Sequence, residues 1–118
     1  MRRVILETPF AGNRVDEYGE PITTYVDYAR RCMMDCLERG EAPMASHLLY
    51  TQVLDDRDHE QRRLGLDAGH AWREVAEAVV VYSDYLVSGG MREGIQRAES
   101  LGIPVEYRSI VWAPEVVH

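Results

Sequence analysis

The sequence predicts an α/β fold, a three-layer sandwich of flavodoxin or Rossmann type built on a four- to five-stranded, mainly parallel sheet. Three observations lead there. The run Ala78 to Tyr82 is continuously apolar and rich in Val, as in a strand buried on both faces of a parallel sheet. Ser88-Gly89-Gly90 then opens a helical pattern in which Met91, Ile95, Ala98 and Leu101 recur at spacings of four and three, and Gly102 stops it. Ile103-Pro104 leads into Val105 to Ile110, which can return as a second parallel strand. Open parallel sheets bind ligands beyond the carboxyl ends of their strands, so the chemistry is expected around Tyr82 to Glu93.

The first strand is Arg3 to Leu6, ended by the turn residues of Thr8-Pro9-Phe10-Ala11-Gly12-Asn13. The loop runs on to Pro21, long enough to serve as a flap over a ligand. Thr24 and Asp27 resemble a capping box, opening a helix with a core stripe of Val26, Ala29, Met33 and Cys36 or Leu37, closed by Gly40. Glu41 to Ala45 is a short strand interrupted by Pro43, and Ser46 to Tyr50 follows at another carboxyl end. Asp56 or Asp58 caps the second helix, whose stripe is Leu64, Ala68, Ala71 or Trp72, and Val75. Gly65 and Gly69 lie one turn apart and permit close packing, on the sheet or on a partner subunit. The count is four parallel strands and three helices, followed by an apolar tail, Trp112 to His118, suited to packing on this chain or across an oligomer contact.

At 118 residues the chain is sized for a single domain, 1–118, with one core. Hydrophobic residues at 46% and charged residues at 28% describe a globular protein without low-complexity segments. The formal charge is −7 and no basic face emerges, which argues against nucleic acid as a partner. The apolar run after Arg2-Arg3 is too short for a signal peptide or membrane span, so a cytoplasmic protein is expected, with no membrane partner.

Cys32 and Cys36, four apart on a helix, read as buried reduced thiols. Asp55, Asp56 and Asp58 could gather a cation, but Asp is favoured at helix starts and Arg57 offsets part of their charge. His59 and His70 point in nearly the same direction and have no third ligand spaced with them, so they read as surface or interface histidines. No metal site and no cofactor are expected.

Four segments together, TPFAGN, SHLLYTQVLDD, VVYSDYLVSGGM and AESLGIPVEYR, resemble the nucleoside 2-deoxyribosyltransferase superfamily, and more closely an uncharacterised phage and bacterial branch of it. The resemblance spans the chain to Ile110 and rests on the ordered set, since no one motif is specific. It implies a flavodoxin-like sheet, a nucleoside or nucleotide over the strand ends, frequent oligomers, and attack on the anomeric carbon by a glutamate. A carboxylate suits that reaction because it stabilises or traps an oxocarbenium-like centre. Carried over, Pro9, Phe10, Gly12 and Asn13 would surround the base or sugar. His47 and Tyr50 would follow on the second loop, with Asp84 on the third and Ser88, Gly89, Gly90 and Met91 at the phosphate end.

Backbone N–H groups at a helix start can bind phosphate without lysine, although SGGMREG is no Walker motif and a simple tight turn also accounts for it. The resemblance places the catalytic glutamate four residues before Ala98, and here that position is Gly94, with Glu93 one residue earlier. One step turns a side chain by about 100°. Glu93 therefore fits two roles, a nucleophile from a shifted helix start or an acidic residue favoured by the helix dipole. Two functions stay open: an N-glycosidic enzyme using Glu93, Asp84 and His47, and a non-catalytic binder that sequesters a nucleotide or ADP-ribose-like signal. A third, an interaction protein with a vestigial pocket, rests on the tail and the paired glycines.

Overall fold

The computed structural model describes residues 1–9, Tyr18 and residues 24–110. Phe10, Gly12, Asn13, most of the expected flap and the tail Trp112 to His118 lie outside the described residues. The elements run β1 (Arg2–Glu7), α1 (Thr24–Glu38), β2 (Glu41–Met44), α2 (Ser46–Leu49), a 3₁₀ turn (Tyr50–Gln52), α3 (His59–Arg73), β3 (Ala78–Tyr82), α4 (Gly89–Ser100) and β4 (Val105–Arg108). Among the described residues four parallel strands are ordered β2-β1-β3-β4. β2 is therefore an edge strand, which is why it tolerates Pro43. No described helix is long and apolar enough to cross a membrane.

Side-chain alternation along the central strands divides the core in two. Val4 and Leu6 of β1, with Ala78, Val80 and Tyr82 of β3, pack on Tyr28, Cys32 and Cys36 of α1. Ile5, Val79 and Val81 face the other way, onto Met91 and Ala98 of α4. All five residues of β3 are buried, as its unbroken apolar run requires. Gly40 and Gly102 close α1 and α4 at φ of 81° and 72°, the left-handed conformation for which a helix end selects glycine.

Two helices are turned relative to the sequence reading. On α1 the buried set is Tyr25, Tyr28, Ala29, Cys32 and Cys36, while Leu37 is exposed. The stripe shifts because Tyr28 can bury its ring and still reach Asp84 with its hydroxyl. On α3 the expected apolar stripe faces outward, with Leu64 and Trp72 exposed at 58% and 48%, and Val75, beyond the helix end, is exposed at 50%. Its buried residues are Gly69, His70 and Arg73. His70 is thus an interior group and only His59 is exposed, a correction whose cause is a partner for each ring nitrogen of His70, described below.

Gly69 meets α2: a Cβ there would stand 2.6 Å from Ser46 Oγ, so this glycine serves a contact within the chain. The short α2 occupies a stretch for which the sequence predicts a loop. β4 stops at Arg108, short of the expected Ile110, because Ser109 and Ile110 turn to Asp84, the Ile110 N–H donating to Oδ2 at 3.2 Å. Cys32 and Cys36 are free and buried, and burial pushes the Cys32 thiol up to about 12, leaving it inert as a nucleophile.

Candidate functional site

The chain leaves β1, reaches β2 on one side and crosses back to β3 on the other, and the crevice opened by such a reversal lies at the carboxyl ends of the strands. A cavity of about 240 Å³ occupies it. β1 and its continuation contribute Glu7, Thr8 and Pro9; α2 begins at the wall with Ser46 and His47; α3 supplies Arg62, Leu66, His70 and Arg73; and α4 arrives with Ser88, Gly89, Gly90 and Met91.

Glu7 is at the wall through strand alternation. It follows Val4, Ile5 and Leu6 on the face that Ile5 shares with α4, so its carboxylate occupies a position an apolar residue would otherwise hold. It is 8% exposed, and its Oε2 accepts from Nη2 of Arg73, itself 4% exposed. Gly94 makes the space: a Cβ at that position would fall on the Glu7 carboxylate and the Arg73 guanidinium. Burial draws the Arg73 guanidinium down to about 10, so it is still cationic at neutral pH and needs the counter-charge beside it. Its Nε is buried with no partner among the described residues.

The pair continues as a relay away from the cavity. Arg73 Nη1 donates to His70 Nδ1 at 2.7 Å, and because arginine can only donate, His70 must carry its proton on Nε2. That Nε2 donates to Glu93 Oε2 at 2.5 Å, and Arg63 Nη2 holds the same oxygen at 2.7 Å. Hydrogen bonds from Arg63 and then His70 draw the Glu93 carboxyl down to about 2.

The sequence-selected residues divide accordingly. His47, Pro9, Ser88, Gly89, Gly90 and Met91 line the cavity together. His47 Nε2 shares a hydrogen bond of 2.5 Å with the Thr8 hydroxyl, and burial pulls its imidazole down to about 4, so the ring is neutral at physiological pH. Ser88 caps α4, accepting from the Met91 N–H at 3.3 Å. Tyr50 is outside the cavity wall and accepts from Trp72 Nε1 at 2.8 Å. Glu93 is also off the wall, beyond His70, since the step from 94 to 93 aims it at α3.

Asp84 stands at the end of β3 and binds the Tyr28 hydroxyl, Ser109 and the Ile110 N–H, fastening α1 and β4 to that strand end. The neighbouring Tyr85 packs edge-on against Tyr28 with centroids 4.8 Å apart. Asp55, Asp56 and Asp58 are each engaged, with Arg57, with Arg62 and as the cap of α3. Among the described residues no cluster of His, Cys, Asp or Glu could hold a metal ion.

Sequence reasoning overlooked Glu7, Thr8, His70, Arg73 and Arg62. A signal existed for Glu7, an acid in phase with Ile5 on a central strand, and for His70 with Arg73, a pair three apart on a helix whose apolar stripe is thin.

Comparison with known proteins agrees with this architecture. The family described as a domain of unknown function, DUF7768, matches residues 2–108. No curated protein matches the chain in sequence. Among solved structures the chain resembles a 2-deoxyribosyltransferase from the psychrotolerant bacterium Bacillus psychrosaccharolyticus, described as a biocatalyst for nucleoside synthesis. The TM-score is 0.61 at 15% identity, over 97% of this chain and 79% of that one. At that identity the likeness is one of fold.

Proposed function

The chain belongs to the DUF7768 family, a domain of unknown function, and on that premise we propose that it binds a nucleoside or nucleotide in the cavity at the carboxyl ends of β1 and β3. The observation that carries this reading is the composition of one wall. Helix-start N–H groups at Gly89 and Gly90, a buried carboxylate at Glu7 and apolar surface from Pro9, Leu66 and Met91 meet in a single crevice. These are groups for a phosphate, a hydroxylated sugar and a base. Arg62 reinforces the first, its guanidinium approaching the place of a Gly90 Cβ at 3.9 Å. The fold likeness to a 2-deoxyribosyltransferase supports the same ligand class. A cavity of about 240 Å³ lies below the roughly 300–1,000 Å³ of drug-sized sites, which favours one nucleoside unit over an ADP-ribose-like ligand.

Cleavage or exchange of the N-glycosidic bond is the reaction such a complex would lead to. In that scheme His47 stands at the ligand, Glu93 acts through His70, and Asp84 sets the end of β3. A second reading, binding without turnover, is favoured by Glu93 itself, whose carboxylate is committed to Arg63 and His70 away from the cavity. Calorimetry with nucleosides and their 5′-monophosphates, with chromatography of the same mixtures for released base, tests both. Binding is expected; no heat from any of them at millimolar concentration would overturn the proposal. Base release by the parent that is lost in Glu93→Gln would select the enzyme, and binding without release would select the binder.

A further inference from the structure

Glu7 is only half used by the protein. Its Oε2 is held by Arg73, whereas Oε1 has no partner among the described residues, and Glu7 lines the cavity. A carboxylate can only accept, and one so largely buried gains most from a donor supplied by whatever fills the crevice. Asp56, which also lines the cavity, belongs to a separate pair with Arg62 at 2.9 Å.

The position of Glu7 along α4 narrows what that donor is. The carboxylate lies over Gly94, four residues beyond Gly90, hence about 6 Å along the helix from its open N–H groups. A phosphate at the helix start is repelled by Glu7 and stays at that start. The ring hydroxyls of the same nucleotide hang at a comparable distance from its phosphate, and the base extends farther. We infer that Glu7 is the specificity-determining residue of the site, accepting a hydrogen bond from a sugar hydroxyl through Oε1 while Arg73 fixes Oε2. This rests on the nucleotide reading above and adds to it the demand for a hydroxylated sugar.

The relay explains why the carboxylate holds one orientation. Arg73 is restrained by His70 Nδ1, and His70 by Glu93, so the guanidinium reaches Glu7 from a fixed direction. Gly94 leaves room for the carboxylate and the guanidinium to meet there.

The test uses the parent chain and four matched ligand pairs, the 5′-monophosphates of adenosine, guanosine, cytidine and uridine and their 2′,3′-dideoxy counterparts, by calorimetry. The hydroxylated members are expected to bind about 10- to 100-fold more tightly, the range of a hydrogen bond to a charged group. In Glu7→Gln that ratio should shrink towards one, and in Glu7→Asp it should be partly restored. Equal binding of hydroxylated and dideoxy members by the parent would overturn the inference and leave the nucleotide reading standing. So would a Glu7→Gln protein that keeps the sugar ratio and loses only its preference among bases. Binding of none of the eight would remove the nucleotide reading itself. Should Glu7→Gln fail to fold, Glu7→Asp, which keeps the charge beside Arg73 on a shorter side chain, decides: its ratio should fall below the parent's, and an unchanged ratio would overturn the inference.

Discussion

The Glu7 carboxylate lies where a side chain on Gly94 would be, so the end of β1 and the second turn of α4 share one space. Gly94→Ala is therefore expected to displace the Glu7–Arg73 pair. Overpacking of this kind costs about 1–3 kcal/mol, although alanine is the better helix former. Urea denaturation should show the loss, and nucleotide titration should show weakened binding; a stabilised protein would mean that the carboxylate has room elsewhere.

Gly65 and Gly69 offer a matched comparison one helical turn apart on α3. A Cβ at 69 would crowd Ser46 Oγ at 2.6 Å, whereas at 65 the nearest atom is Leu54 Cδ1 at 3.4 Å, the end of a side chain that can yield. Gly65→Ala should be neutral or raise stability by up to about 1 kcal/mol, the propensity difference. Gly69→Ala should lower stability by about 1–3 kcal/mol through overpacking. Thermal melts of the two variants side by side check the contrast, and equal melting points would contradict it.

Glu41 sets a pH limit on stability. Hydrogen bonds from Arg108 and from Arg2 draw its carboxyl down to about 2 from an ordinary 4.5. The folded state binds its proton less readily than the unfolded chain, so the contribution is complete above about 4.5 and lost as pH falls towards 2. Glu41→Gln should flatten the fall of stability across that window. At neutral pH it should cost about 1.5–3 kcal/mol, the range of a hydrogen bond to a charged group, because the buried Arg108 then keeps Glu106 as its charged partner. Denaturant titrations at a series of pH values measure both effects.

Burial sets the direction in which His47 titrates. Its folded value lies near 4 and its ordinary value at 6.5, so the unfolded chain takes up the proton first. Stability should fall as pH drops from about 6.5 to 4, and NMR of the imidazole should show no protonation above pH 5. A midpoint near 6.5 would place the ring in solvent instead of at the cavity wall.

Much of the fold was legible because its signals are local. The AVVVY run fixed β3 as central, glycine marked the ends of α1 and α4, and Asp58 at the start of α3 is a cap that its accepting bonds to the Glu60 and Gln61 N–H groups explain. The faces of α1 and α3 were not legible, because periodicity weighs apolar residues and these helices bury tyrosine hydroxyls, a histidine and an arginine. Their burial depends on partners distant in sequence, Asp84 for Tyr28 and Glu7 for Arg73. The site was half visible for the same reason. Ser88, Gly89, Gly90 and His47 stand at turns and helix starts that composition reveals, while Glu7 looked like the charge that ends an apolar run.

The alternation of β1 has a consequence for how this domain can change. Val4 and Leu6 face α1 while Ile5 and Glu7 face α4, so one strand carries core and cavity in a single register. Inserting one residue ahead of Leu6 would send the charge into the apolar layer beneath α1 and a leucine into the cavity, and deleting one would bring Thr8 to the cavity in its place. Ligand preference at this strand can be retuned by exchanging residue 7, but not by altering strand length, and engineered libraries should be built with that restriction.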